Sequence, residues 1–489
     1  MLKIAVIGDI HLTYLRETVQ YDSFEFALEK IKSSQSDVVV CLGDATANGD
    51  LGAANYFLNR MEEIKASKLF VLGNSDLRTK DTVEAVKILE TDNEIKVDGV
   101  RLLGINTSSG QISFSDKELL NSSDKNTIVF MHHPYWDGLA EESAQLIKKF
   151  QENGNYRALV HGHMHYFEKK ENVYSLQALD PDKAIGEPPC VTYFIIDDES
   201  IRTEFDYFPS EMPEKSEEYV GLSCFKPEID IPVAIENGIK NIELRPNAVY
   251  DDRENLKKLI GLWRKGGGKY LSLHMPDFGY NVKLIGEEEW ADAVDCAVEL
   301  SVDGVTVHVP KVSLKNMRNG AETVLLQFLS DNIKKLPSGC IVGIENMHMT
   351  AQESDNEDRR FGYIPQECIG FMNKINDVFG FERVGLLLDV GHARNNAPYS
   401  EKYPVGAWYG EVGKYTVAYH IHQITKYETK MENHTPITSL CGALISYCGF
   451  AHCWNNNKIN RRPIFLEIRG GYDEYIKSVK FFKEQGKKL

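Results

Sequence analysis

Val38-Val39-Val40-Cys41-Leu42-Gly43-Asp44 is an apolar run that stops at a glycine and then a carboxylate. A short β-branched run of this kind reads as a strand buried on both faces, with the chain turning at its end. The same pattern recurs on either side. The run 4–7 leads into Asp9-Ile10-His11, and 69–72 into Gly73-Asn74-Ser75-Asp76. The run 128–130 leads into His132-His133-Pro134, and 158–160 into Gly162-His163-Met164-His165. Amphipathic stretches at 24–31 and 54–64 lie between these runs, and shorter strands at 193–196 and 201–205 close the half. The expectation is a layered α/β unit that collects one polar group from each strand end.

Those polar groups are chemically matched. Two divalent ions held about 3.5–4 Å apart need a shared carboxylate and separate N/O ligands for each ion. Asp44 suits the shared position. Asp9, His11 and His165 can complete one ion, and Asn74, His132 and His163 the other. A mixed Asp/Asn/His shell favours Mn, Fe or Zn over Mg or Ca. A water between two such ions would lose a proton at neutral pH and attack phosphorus in line.

The order Asp-x-His, Gly-Asp, Gly-Asn-x-Asp, His and Gly-His-x-His resembles the calcineurin-like metallophosphoesterases over residues 1–206. That resemblance implies an αββα sandwich and hydrolysis of a phosphate mono- or diester. The family's histidine after the asparagine is Ser75 here, and a serine hydroxyl is a poor acid at pH 7. Either His11 or His133 then protonates the leaving group, or the substrate brings a good one. His11, Asp44, His133 and Ser75 form the expected catalytic set. Asp76, which would orient the missing histidine, loses that role. His133 and His161 either touch substrate or pack behind the ligands.

Residues 207–218 carry two prolines and a run of charge, and read as a linker. A different rhythm follows. Strand candidates at 220–224, 241–244, 270–273, 304–307, 341–344, 384–388, 418–421 and 464–466 are mostly separated by room for a helix, and 472–484 would be the last helix. Eight βα units over 219–489 fit a TIM barrel, whose active sites lie at the carboxyl ends of the strands. His274, His308, Glu345, Asp389 with His392, His420 and Glu467 fall at or just past such ends, and Glu432 and His434 lie in a nearby loop.

This half resembles the xylose isomerase-like barrels, which include sugar isomerases and epimerases and the endonuclease IV-type nucleases. Glu345, Asp389, His420 and Glu467 correspond to the one-metal set of the epimerases. The wider set with His274, His308, His392, Glu432 and His434 corresponds to the three-metal set of the nucleases, in which Glu345 would bridge. The resemblance implies one to three Zn or Mn ions. Asn346, His348 and His422 would orient ligands. It leaves open whether the barrel is a hydrolase on a related phosphorylated substrate, an isomerase or epimerase, an apurinic endonuclease-like enzyme, or a ligand-binding module.

The bulk numbers limit the choices. A chain of 489 residues with 42% apolar and 26% charged residues is globular and large enough for two cores. A net charge of −17 disfavours a large nucleic-acid surface without excluding nucleic acid; the phosphoesterase resemblance implies a small phosphorylated molecule as the partner. The nine cysteines show no paired spacing, and the start Met1-Leu2-Lys3 enters the first strand without a leader. A cytoplasmic protein without a membrane segment is expected. Oligomeric state has no signature.

Overall fold

The computed structural model describes residues 1–485 apart from 79–81, 90–92, 199, 250–251, 351, 380–382, 398, 428–429, 443 and 470. The chain forms two compact units. The first comprises Met1–Glu211 with Leu440–His452, and the second Met212–Ser439 with Cys453–Leu489.

The first unit is built on two sheets. One has five strands in the order Ile201–Tyr207, Cys190–Ile196, Leu2–Ile7, Val38–Cys41 and Ser67–Phe70. The other has six, in the order Glu94–Val97, Val100–Ile105, Thr127–Met131, Ala158–His161, Val173–Ser175 and Glu168–Lys170. Alternate side chains of each strand face opposite ways. Leu2, Ile4, Val6, Val38 and Val40 pack against Leu102, Ile128, Phe130 and Val160 of the second sheet. Ala5, Ile7, Val39 and Cys41 face the other way and meet Phe24, Leu28, Phe57 and Met61 from the helices Val19–Ser34 and Leu51–Glu62. Ile105, Val129 and Leu159 meet Leu120 and Ile147 from the helices Phe114–Asn121 and Glu141–Asn153. The result is the αββα layering. Both faces of the central strands are covered, which is why they read as unbroken apolar runs.

The segment Leu440–His452 completes this unit from far along the chain. Gly186 donates its N–H to Cys441 O at 2.9 Å, and Ser446 Oγ donates to Pro181 O at 2.6 Å. His452 Nε2 lies 3.4 Å from Asp22 Oδ2.

The second unit is a closed barrel of parallel strands: Val220–Cys224, Asn241–Leu244, Tyr270–His274, Gly304–His308, Ile341–Glu345, Val384–Asp389, Thr416–Ile421 and Ile464–Leu466. The last strand pairs with the first, Ile464 opposite Val220. Helices such as Arg253–Lys265, Glu287–Glu299, Glu322–Ile333 and Pro365–Phe379 return the chain between strands. The (β/α)8 barrel expected from the sequence is therefore present. Its strands run one residue further than the apolar runs did at four places, ending on His274, His308, Glu345 and Asp389. Among the described residues no helix is long and apolar enough to cross a membrane.

Candidate metal centres

In the first unit each polar group sits where a strand of the sandwich ends. Asp9, His11, Asp44, His163 and His165 all adopt left-handed backbone, with φ between 50° and 70°. That region costs a non-glycine residue energy and persists where surrounding contacts fix it. Two neighbouring N–H donors fix His11 and Ile10 on Asp44 O, each at 2.9 Å. Gly73 allows the closest approach: a Cβ there would stand 2.1 Å from Asp44 Oδ1.

Ligand atoms of Asp9, His11 and His165 lie within 4.8 Å of one another, as do those of Asp9, Asp44 and His132, and those of His132, His133 and His163. Asp44 reaches both sides of this cluster. Its Oδ2 is 3.1 Å from His11 Nε2, and its Oδ1 is 3.6 Å from His132 Nε2. The side-chain amide of Asn74 faces His132 Nε2 at 3.0 Å and His163 Nδ1 and His133 Nε2 at 3.2 Å. Turned the other way round, it donates to all three rings and accepts from Arg78.

Burial alone would raise the Asp9 pKa, yet His165 beside it holds it down to about 2. Burial also opposes ionisation of Asp44, and the charges of His132 and His11 override it, so Asp44 stays well below the usual carboxylate range. His11 goes up against the effect of its burial, because the carboxylates of Asp180 and Asp44 stand on either side of its ring.

Ser75 is fully buried. Its hydroxyl donates to Asp44 Oδ2 at 2.7 Å and its N–H to Asp44 Oδ1 at 2.7 Å, so the side chain holds the carboxylate in place. Asp76 ties two loops together, accepting from Thr46 at 2.9 Å and from Gly73 N–H at 3.0 Å. His133 Nδ1 is engaged by Thr107 O at 2.8 Å, which turns Nε2 toward Asn74. Burial and the neighbouring His132 push His133 down to about 4, so it is neutral at pH 7. His161 is also neutral, pushed down to about 4 by burial, and its Nδ1 lies 3.0 Å from Gly162 O.

Asp180 was not foreseen from the sequence. It is buried, its Oδ2 lies 3.4 Å from His11 Nδ1, and Gln20 Nε2 donates to its Oδ1 at 2.9 Å. A second carboxylate on a ligand imidazole fixes which nitrogen faces the cluster.

The barrel rim gathers a second set. Ligand atoms of His274, His308 and Glu345 form one group, and those of Glu345, Asp389, His420 and Glu467 another. Glu345 belongs to both. Its Oε2 is 3.3 Å from His274 Nε2 and 3.3 Å from His308 Nε2, and its Oε1 is 3.1 Å from His420 Nδ1. His392 Nδ1 lies 3.6 Å from both Glu345 and Asp389, with Asn346 O at 2.9 Å. His434 contacts Glu467 O through Nδ1 at 2.9 Å and packs on the His422 ring at 4.2 Å between centroids. Glu432 is not brought in. It is exposed on the strand Lys430–Thr435 of an outlying hairpin, opposite Thr425.

Two further groups complete the rim. Glu243 is fully buried, with Oε1 2.8 Å from His420 Nε2. Arg245 reaches Glu467 Oε1 at 2.6 Å. His420 therefore has a carboxylate on each ring nitrogen and is raised well above 6.5, although burial alone would lower it. A charged residue between Ile242 and Leu244 in the buried strand Asn241–Leu244 was the available signal for Glu243.

Several buried atoms here make no hydrogen bond: His11 Nδ1 and Asp180 Oδ2 in the first unit, and His274 Nε2, Glu345 Oε2 and Asp389 Oδ2 in the second. Buried polar groups are normally satisfied. Buried carboxylate oxygens and imidazole nitrogens gathered this closely fit a cation, and both donor sets fit divalent metals.

Residues 2–167 match the family model of calcineurin-like phosphoesterases. The first unit is thus a calcineurin-like metallophosphoesterase unit. A probable cyclic nucleotide phosphodiesterase of Xenorhabdus bovienii is 26% identical over 194 residues, covering 34% of this chain and 78% of the relative. Among solved structures, a D-tagatose 3-epimerase-like protein is 19% identical with a TM-score of 0.40, covering 55% of this chain and 96% of its own. Endonuclease IV from Thermus thermophilus is 14% identical with a TM-score of 0.40, covering 55% of this chain and all of its own (100%).

Proposed function

We propose that the chain is a two-unit metal-dependent hydrolase. The first unit cleaves a phosphate ester with two divalent ions, Mn, Fe or Zn, held by Asp9, His11, Asp44, Asn74, His132, His163 and His165. The observation that carries this reading is Asp44, whose two oxygens reach His11 at 3.1 Å and His132 at 3.6 Å, on opposite sides of the cluster. Bound there, two ions would activate a water and neutralise charge on the phosphoryl oxygens. The chain's own residues do the rest. Asp44 spans the two ligand groups, and Ser75 fixes its carboxylate. Thr107 fixes His133, and Asp180 fixes His11.

The barrel holds one to three Zn or Mn ions on Glu345, Asp389, His420 and Glu467 and on His274, His308 and Glu345, and acts on a related phosphorylated molecule. A second reading, isomerase or epimerase action on a sugar or sugar phosphate, is favoured by one observation. The four-residue group is the more deeply buried of the two, and Glu432 of the wider set stands outside it.

The test is Asp44→Asn in the full chain. Removing the shared charge separates the ions and raises the pKa of the attacking water. Hydrolysis of an aryl phosphoester should fall at least about 100-fold, by analogy with other losses of transition-state charge stabilisation. Activity within tenfold of the parent would sink the assignment.

A further inference from the structure

The first unit carries a cleft of about 660 Å³ that the metal cluster does not account for. Its floor is apolar, formed by Phe70, Val71, Leu72 and Gly104, and its walls are amides and hydroxyls from Asn93, Asn106, Ser109, Gln111 and Ser115, with one carboxylate, Asp116. No lysine or arginine lines it among the described residues.

Two features tie the cleft to the chemistry. Leu72 is followed directly by Gly73-Asn74, and Asn106 by Thr107, whose Oγ1 accepts from the N–H groups of His132 and His133 at 3.2 and 3.0 Å. The cleft wall and the ligand loops are therefore continuous chain. Asp116 supplies the second feature. It is buried, Ser113 Oγ donates to its Oδ2 at 2.6 Å, and its Oδ1 has no hydrogen-bond partner. A buried carboxylate oxygen without a donor costs free energy until a ligand brings one.

We propose that this cleft receives the alcohol portion of the ester, and that this portion is a polyhydroxylated, sugar-type group. The inference rests on the phosphoesterase reading of the unit. A sugar ring presents a rim of hydroxyls that both give and accept hydrogen bonds. Asn106 and Gln111 offer both functions, and Asp116 Oδ1 accepts. A lining without cationic side chains suits an uncharged group and leaves the phosphate to the metal cluster. Binding the alcohol portion also addresses the chemistry. Ser75 is engaged with Asp44, so an alkoxide leaving group has no strong acid at that position, and remote binding energy can be used at the reacting centre instead.

The experiment compares full-length parent, Asp116→Asn and Gln111→Ala on three probes: a hexose phosphate, n-butyl phosphate and p-nitrophenyl phosphate, the first two also as their methyl diesters and the third also as the bis-ester. The parent should favour the hexose ester over the butyl ester at least tenfold in kcat/KM. Each variant should reduce that preference at least fivefold, mainly through KM. Gln111 lies outside the Ser113 cap, so its variant guards against loss of folding in Asp116→Asn. Nitrophenyl hydrolysis with equal rates on the hexose and butyl esters would overturn the cleft assignment alone, as would variants that slow both esters equally. Absence of nitrophenyl hydrolysis would overturn the phosphoesterase reading and the cleft's role with it.

Discussion

Ser75 decides how the first centre handles a leaving group. Its hydroxyl proton points at Asp44 Oδ2, 2.7 Å away, and the side chain is buried. Ser75→Ala removes a hydrogen bond to a charged acceptor, worth about 1.5–3 kcal/mol. Turnover should fall roughly 10- to 100-fold on this account, with the ratio of kcat/KM for aryl and alkyl esters unchanged. A loss confined to the alkyl ester would identify Ser75 as the acid. The seven ligand candidates of this centre were legible because each ends a strand and carries a metal-ligand side chain. Asp180 was not, since it sits in no motif and acts through His11. Arg245 was hidden for the same reason: it acts on Glu467, and nothing in the spacing of Leu244-Arg245-Pro246 marks a charge turned toward the rim.

At the level of elements, the turn after each strand sets the geometry. Gly43, with φ of 88°, and Gly73 stack so closely that a Cβ on Gly73 would lie 2.1 Å from Asp44 Oδ1 and 2.3 Å from Asp44 N. Gly73→Ala must shift the loop that carries Asn74, and a displacement of about 1 Å is enough to cost on the order of 100-fold in rate. The expected result is loss of aryl phosphoesterase activity to that degree with a far-ultraviolet circular dichroism spectrum like the parent's. Full activity would mean the loop relaxes without moving Asn74. Most strands buried on both faces were read within two residues, but Cys190–Ile196 begins three residues before the run read at 193–196, and the largely buried strand Val100–Ile105 was not read at all. Glu94–Val97 was missed because it is an edge strand with only partial burial, and Glu168–Lys170 because it is short and largely charged. Polar edge strands have no periodic apolar signal.

For the whole molecule, the barrel rim links stability to pH. Glu345 and Asp277, whose Oδ1 lies 2.7 Å from His308 Nδ1, raise His308 to about 10 from the usual 6.5, overcoming its burial. The metal-stripped folded chain therefore keeps a proton that the unfolded chain releases above about 6.5. That contribution is full below 6.5 and is lost as pH rises toward about 10. With chelator present, the melting temperature should fall steadily from pH 6.5 to 9. Adding Zn or Mn should reduce the slope, because the ion supplies the positive charge the carboxylates need. Glu345→Gln in chelator should flatten it. An unchanged slope in that variant would show that the rim does not control the titration. The two-unit organisation and the barrel were legible from the alternation of strands and helical stretches. That Leu440–His452 groups with the first unit was not, because nothing local to Cys441 or Ser446 marks a segment that pairs with Gly186 and Pro181.

That late segment also sets the order in which the protein can mature. A ribosome releases Met1–Glu211 well before it has made Leu440–His452. At about 5–20 residues per second, the interval is on the order of ten seconds to a minute. Throughout it, Pro181 and Gly186 lack the partners they will have, so the newborn phosphoesterase unit must wait, incomplete, for most of the barrel to be translated.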